Sequence, residues 1–322
     1  MNKDAESNVS KWDKACRTKS RRALTFITNN SSQSRVLEEF YEKFAAFAPG
    51  IRYDKSKESD AEEPFLRVGK NIIFKAVPNN KLLDTFLTLL TPDLCDVPKS
   101  VVNYLQGFET PVTLKIFVTP FCPFCPKVVS DVARLSLANK NIEVIIIDGS
   151  LFPELARENN VVSAPTVLFN EHFRWEGQIN PADIAEVIGN SKPEELSMEA
   201  LRAIVESGKA VLLSELMIKS GSIFPAFYEL ITHEKWPVRL GALVALEEIA
   251  GNNRTLSEKA FTFLWKNFDS YSSSVQGDII YITGEAGDKS NLVRIEKVLS
   301  GDFNSDLKEA ANDAFETLNL LN

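Results

Sequence analysis

The sequence predicts two α/β units in tandem, each a mixed sheet flanked by helices, followed by an all-α domain. Three observations carry this. Short apolar runs alternate with segments of helical periodicity up to about residue 190. The order of those segments occurs twice, over 23–92 and again over 112–188. After Lys192-Pro193 strand signals stop and helical spacing takes over.

In the first unit, Ala23–Thr28 is a short apolar strand. Ser34–Ala48 reads as a helix with Val36, Leu37, Phe40, Phe44 and Phe47 on one face. Ile51–Lys55 alternates as a second strand, and the charged Lys57–Glu63 stays outside any core. Pro64–Val68 and Ile72–Ala76 are two short strands joined at Gly69, and Asn79–Leu90 closes the unit as a helix. Leu94–Leu105 is expected to be a connecting helix. In the second unit, Val112–Val118 is a strand, followed by Cys122-Pro-Phe-Cys125 and a helix from Pro126 to Ala138. Ile142–Ile147 is a buried strand of continuous β-branched character. Phe152–Asn159 is a short helix. Thr166–Asn170 and Phe173–Glu176 pair antiparallel around Glu171-His172, and Pro181–Ile188 is the last helix. This is the element order of a thioredoxin-like fold, and the first unit is a shortened copy of it. The expected organisation is a basic leader over 1–22, a thioredoxin-like fold without redox cysteines over 23–106, a redox-active thioredoxin/glutaredoxin-like fold over 107–193, and a helical domain over 194–322.

In the helical domain, Val238, Ala242, Ala245 and Ile249 share one spacing. Val275, Ile279, Ile282 and Ala286 repeat it, as do Leu307, Ala311, Ala314 and Leu318. The sets are offset by 37 and 32 residues, a period of stacked helix pairs. Small residues near the stripes (Gly241, Ala242, Ala245, Ala310 and Ala311) permit close helix approach. The segments "PVRLGALVALEEIAG", "SSVQGDIIYITGEAGDKSNLVRIEKVLS" and "SDLKEAANDAFETL" resemble HEAT-like repeats, although any small helical bundle or right-handed α-solenoid carries nearly the same pattern.

The chemistry is expected at Cys122 and Cys125. A strand ends just before them and a helix opens just after, so the first cysteine lies where free N–H groups and the helix dipole favour a thiolate. Cysteine pKa values in such motifs fall from ~8.5 to about 3.5–7.5. The thiolate attacks a disulfide, and the second cysteine, one helical turn on, resolves the mixed disulfide. Cys122 is therefore the expected nucleophile and Cys125 the resolving thiol. Pro123 stiffens the loop, and Pro126 suits a first helical turn. Ala164-Pro165-Thr166, just before a strand, is the second element of the site.

Other readings of the same residues are weaker. Zinc needs four ligands, and beyond the pair only Cys16, Cys95, His172 and His233 remain, without paired spacing. A Cys–His hydrolase lacks a third group at motif spacing. Cys95 reads as a small core residue or idle thiol, Cys16 as an exposed residue of the leader, and His172 as a surface residue at a hairpin turn. The net charge of −8 is uneven: +4 over 1–22 and −8 over 194–322. An acidic body argues against nucleic acid as a partner. The basic leader reads as a mobile, solvated terminus. No apolar run approaches the ~18 residues that span a bilayer, and Met1–Asn30 holds no signal-peptide core. A cytoplasmic protein without membrane contact is expected.

With these residues in hand, Phe108–Gly189 resembles the thioredoxin-like fold in the N-terminal domain of alkyl hydroperoxide reductase flavoprotein subunits. It is similarly close to the archaeal tandem-fold protein disulfide oxidoreductases. "FVTPFCPFCPKVV", "EVIIIDGSLFPELARENNVVSAPTVLFN" and "FRWEGQI" carry the resemblance. It implies Cys122 and Cys125 as redox cysteines, with Pro165, following Ala164, as a cis proline facing them and binding substrate. The first fold of the flavoprotein family is a redox-dead copy. Here the corresponding loop, Thr28-Asn29-Asn30-Ser31-Ser32, has no cysteine either, and Pro64 matches that copy's own strand-opening proline. Two departures stand out. No G-x-G-x-x-G follows, so no FAD or NAD site is expected, and electrons must come from an external donor such as a flavoprotein reductase. The buried Asp that many thioredoxins carry six residues before the first cysteine is Ile116 here, so acid–base help for Cys125 must come from elsewhere, a first-fold carboxylate or water.

The expected function is a thiol–disulfide oxidoreductase acting on disulfide-containing proteins, with the helical repeats holding a partner protein. The alternatives are a redox sensor whose disulfide regulates the repeats, and an oxidase or isomerase.

Overall fold

The protein is described here by a computed structural model covering residues 1–57, 63–170, 173–206 and 208–320. The chain divides into two compact units, Met1–Ser191 and Lys192–Asn322.

The first unit runs α1 (Lys3–Ala15), β1 (Leu24–Thr28), α2 (Ser32–Phe47), β2 (Tyr53–Lys57), β3 (Phe65–Val68), β4 (Ile72–Lys75), α3 (Asn80–Leu90) and α4 (Lys99–Leu105). It continues through β5 (Val112–Val118), α5 (Cys125–Ala138), β6 (Ile142–Asp148), α6 (Pro153–Glu158), β7 (Thr166–Phe169), β8 (Phe173–Glu176) and α7 (Pro181–Asn190). The strands form one eight-stranded mixed sheet in the order β2-β1-β3-β4-β6-β5-β7-β8. Each half has the same internal pattern: β1 is parallel to β2 and antiparallel to β3, as β5 is to β6 and β7. The halves join where β4 pairs in parallel with β6, Ile72 opposite Val144 and Phe74 opposite Ile146. The two tandem copies read from the sequence therefore share a single sheet.

Apolar residues dictate this layering. β6 is flanked on both sides, and its Ile142, Val144, Ile146 and Ile147 are buried. In the first half, Phe40, Phe44, Phe74 and Phe86 make stacked and edge-on ring contacts between α2, α3 and β4. The buried face of α2 is Leu37, Phe40, Tyr41 and Phe44, whereas Val36 lies at its margin and is exposed. Leu94–Leu105 is not one helix. A 3-10 turn covers Pro92–Leu94, and α4 begins only after Pro98, because proline disfavours helical backbone at the residue before it. The N-terminal segment is not a solvated leader. α1 packs on α2 and α3 with Val9 and Asp13 buried, and Cys16, expected on the surface, is buried at its end.

The second unit contains α8 (Met198–Glu206), α9 (Ala210–Ser220), α10 (Pro225–Ile231), α11 (Trp236–Asn252), α12 (Arg254–Lys266), α13 (Ser273–Ala286), α14 (Leu292–Ser300) and α15 (Ser305–Leu320). Of the three apolar stripes, all members are buried except Ala286, which is half-buried. α11 packs against α8, α9, α10, α12 and α13, and α13 in turn against α15. The last contact is close: a Cβ at Gly284 would lie 2.9 Å from Ala314 Cα. Among the described residues no helix is long and apolar enough to cross a membrane.

Candidate functional site

β5 delivers the chain to the site. Its Leu114, Ile116, Phe117 and Val118 are buried, and it stops where Thr119-Pro120 breaks the ladder. Cys122 N–H donates to Thr119 O at 3.2 Å, turning the loop towards α5, whose first turn carries Pro126. Cys122 and Cys125 are joined as a disulfide with their Cα atoms 5.5 Å apart. The Cys125 N–H donates to Cys122 Sγ at 3.1 Å. The two sulfurs differ in access: Cys122 is half-buried, whereas Cys125 is 2% exposed. The outer sulfur is therefore within reach of a partner molecule, and the inner one only of its neighbour.

Ala164 and Pro165 come to the same place. The Ala164–Pro165 bond is cis, and Ala164 O lies 3.6 Å from Cys122 Sγ. Apolar side chains next to Cys122 and just before Pro165 in the sequence are not packed away. Phe121 is 92% exposed, Phe124 52%, and Val162, three residues before Pro165, 91%. A cavity of about 250 Å³ beside the pair is lined by Ala76, Lys81, Phe121, Cys122, Cys125 and Asp148 among others. Asp148 ends β6 opposite Val118, and both belong to the same sheet face as Ile116 and Ile146. It is buried, its Oδ1 accepts the Ser150 N–H at 2.8 Å, and burial raises its carboxyl above the usual carboxylate range.

The other candidates lie apart from this arrangement. Cys95 is a free, half-buried thiol directed at Thr88 O, 3.3 Å away, and burial pushes its pKa up. His233 belongs to the second unit, where its Nδ1 accepts the Lys235 N–H at 3.0 Å. His172 and Glu171 lie outside the described residues. Among the described residues no cluster of three or more His, Cys, Asp or Glu side chains is arranged to hold a metal. Sequence reasoning missed Asp148, Phe121, Phe124 and Val162. The signals were a carboxylate closing the apolar run "IEVIIID" and aromatics on either side of the first cysteine.

Fold and site together define the first unit's class: a thioredoxin-like α/β fold bearing a C-x-x-C disulfide at a strand-to-helix turn. A thioredoxin domain family matches residues 112–189. Over 169 residues the chain is 24% identical to the F subunit of alkyl hydroperoxide reductase in Staphylococcus epidermidis, covering 51% of this chain and 33% of the relative. Its Staphylococcus aureus counterpart is 22% identical over 170 residues. The match thus spans about a third of the length of these relatives. Among solved structures, a protein disulfide oxidoreductase from Aeropyrum pernix superposes with a TM-score of 0.53 at 14% identity, over 61% of this chain and 95% of that one. The F subunit of the Enterococcus faecalis alkylhydroperoxide reductase gives 0.50 at 20% identity, over 58% and 99%. These likenesses concern the fold.

Proposed function

We propose that the protein is a thiol–disulfide oxidoreductase that reduces or transfers protein disulfides through a mixed disulfide on Cys122. In this reading the 107–193 segment is the working domain and 23–106 its redox-inactive copy. Cys122 is the attacking thiolate, Cys125 resolves the intermediate, and Ala164-Pro165 offers a backbone edge to the substrate. The observation that carries the reading is the asymmetry of the pair: a reachable Cys122 sulfur that accepts a backbone N–H, backed by a buried Cys125. The donor would be an external reductase of the flavoprotein kind, since this chain carries no Gly-rich dinucleotide motif. A reducing compartment such as the cytoplasm suits that direction of flow. We read the second unit as a HEAT-like array that docks a partner protein, a use suited to stacked helices. The 54% exposed Trp236 at the start of α11 is available for such contact.

The test is dithiothreitol-driven reduction of insulin by the full chain. Turnover is expected in the wild type, none in Cys122→Ser, and a trapped mixed disulfide in Cys125→Ser. An intact, reducible pair without turnover, even towards small disulfides, would overturn the proposal.

A further inference from the structure

Resolution of the mixed disulfide requires Cys125 to lose a proton, yet this thiol is 2% exposed, and burial in apolar surroundings disfavours the thiolate. Ile116, fully buried on the adjoining strand, can accept nothing. We infer that Asp148 is the proton acceptor for Cys125, acting across the cavity that both residues line. The inference rests on the oxidoreductase reading of the pair.

Three observations point to it. Asp148 and Cys125 open onto the same cavity, whose volume of about 250 Å³ accommodates several waters at ~30 Å³ each. Strand register fixes the side: Asp148 stands opposite Val118, so its side chain leaves the sheet on the face that carries Ile116. Asp148 is also the buried carboxylate of that lining. The other charged group there, Lys81 of α3, is exposed at the rim, and the lining residues just after β4, Ala76 and Val77, carry no charge. The two cysteines and Lys81 line the cavity with Asp148, whose carboxylate takes hydrogen bonds from the Ser150 and Leu151 N–H groups and the Ser150 hydroxyl. Burial raises the Asp148 carboxyl, which brings its proton affinity closer to that of a thiol.

With the substrate sulfur bonded to Cys122, the Cys125 proton passes to the Asp148 carboxylate, directly or through a cavity water. The Cys125 thiolate then attacks Cys122 Sγ. The Cys122–substrate bond breaks, and the substrate leaves as a thiolate with the electron pair. The Cys122–Cys125 bond forms, so the protein dithiol is oxidised by two electrons and the substrate disulfide reduced. Asp148 returns its proton to the leaving thiolate or to solvent.

The test follows the reduced full chain reacting with the chromogenic disulfide dithiobis(nitrobenzoate) in a stopped-flow instrument. The first coloured thiolate reports attack by Cys122 and the second reports resolution by Cys125. Asp148→Asn keeps an oxygen to accept the Ser150 N–H, so the turn is preserved. It is expected to leave the first step unchanged and slow the second by about 100- to 10,000-fold near neutral pH, the range of a general base. The deficit should close as pH rises towards the ordinary thiol pKa of ~8.5, and Asp148→Glu should recover part of the rate. In the wild type, the second step should fall at acid pH as Asp148 takes up a proton. A second step unaltered in Asp148→Asn at every pH overturns the inference, and so does equal slowing of both steps. If the wild type releases no first thiolate, the oxidoreductase reading itself falls and this inference with it.

Discussion

Ser31 and Ser34 reproduce, in oxygen, the arrangement of Cys122 and Cys125. Ser31 Oγ accepts the Ser34 N–H at 3.1 Å, as Cys122 Sγ accepts the Cys125 N–H at 3.1 Å. Each pair is three residues apart, after a strand and at the opening of a helix, β1 into α2 and β5 into α5. The inner member is buried in both, and Ser34 Oγ is held 2.6 Å from Thr28 Oγ1. The first half therefore keeps the frame of a dithiol site without its sulfur.

That frame predicts a gain. Ser31→Cys combined with Ser34→Cys should form a second disulfide, because each sulfur replaces an oxygen already positioned by the helix start. Thiol titration under non-reducing conditions, with peptide mapping, checks it. Two additional free thiols after air oxidation, with Cys122–Cys125 closed in the same sample, would show that the frame differs from that of Cys122 and Cys125.

In the second unit, Arg239 is 1% exposed and joins α11 to α13. Its guanidinium meets Asp278 at 2.5 Å, Ser274 Oγ at 2.7 Å, and the carbonyls of His233 and Glu234 at 2.7 and 2.8 Å. All three guanidinium nitrogens are engaged, a geometry that lysine cannot reproduce. Arg239→Ala should destabilise this unit by about 3–5 kcal/mol, the usual cost of leaving one partner of a buried pair alone. Arg239→Lys should recover only part. Urea unfolding followed by Trp265 fluorescence reads the change, and a loss below about 1 kcal/mol, typical of surface pairs, would contradict it.

A comparable pair anchors α1. Asp13 Oδ1 meets Arg21 Nη1 at 2.6 Å and accepts the Gly50 N–H at 3.2 Å, and Arg21 Nε donates to Cys16 O at 2.9 Å. Asp13→Ala leaves Arg21 buried without its carboxylate and should release α1. Cys16, 4% exposed, is the reporter. Its alkylation rate in the native protein, with the Cys122–Cys125 disulfide closed, should rise at least about tenfold, since a loss of about 1.4 kcal/mol is already tenfold in an opening equilibrium. An unchanged rate would mean that α1 is held by its apolar contacts alone.

These sites mark the limits of what the sequence discloses. The β5–Cys122–α5 unit was legible because strand period, proline punctuation and C-x-x-C spacing are all local. The stripes at Val238, Val275 and Leu307 were legible because helical period is local too. The docking of α1 was not, since its charge pattern reads as solvated until Arg21 is seen to fold back on Asp13. The joining of β4 to β6 was hidden as well: Ile72 and Val144 read as ordinary strand residues, and nothing in either segment names its neighbour. Asp148 escaped notice because it acts, in our reading, through a cavity assembled from the segment after β4, α3, the ends of β5 and β6, the Cys122 loop and the start of α5, whereas the place expected for a carboxylate, six residues before Cys122, holds Ile116.

The rim of Cys122 yields the last prediction. Phe121 and Phe124 expose large apolar surface at 92% and 52%, so neither ring contributes much to stability. Burying such surface against a substrate is worth roughly 25 cal/mol per Å². Replacing both by serine should therefore leave the unfolding midpoint nearly unchanged, within the roughly ±0.5 kcal/mol of ordinary surface changes. It should raise KM for a protein disulfide such as insulin about tenfold, while the rate with dithiobis(nitrobenzoate) changes little, because a small disulfide reaches the sulfur without covering the rings. Equal losses on both substrates would instead assign the phenylalanines to shaping the Cys122 loop. No loss on either would leave Ala164-Pro165 as the principal contact for an incoming chain, and the apolar rim as surface that a substrate does not cover.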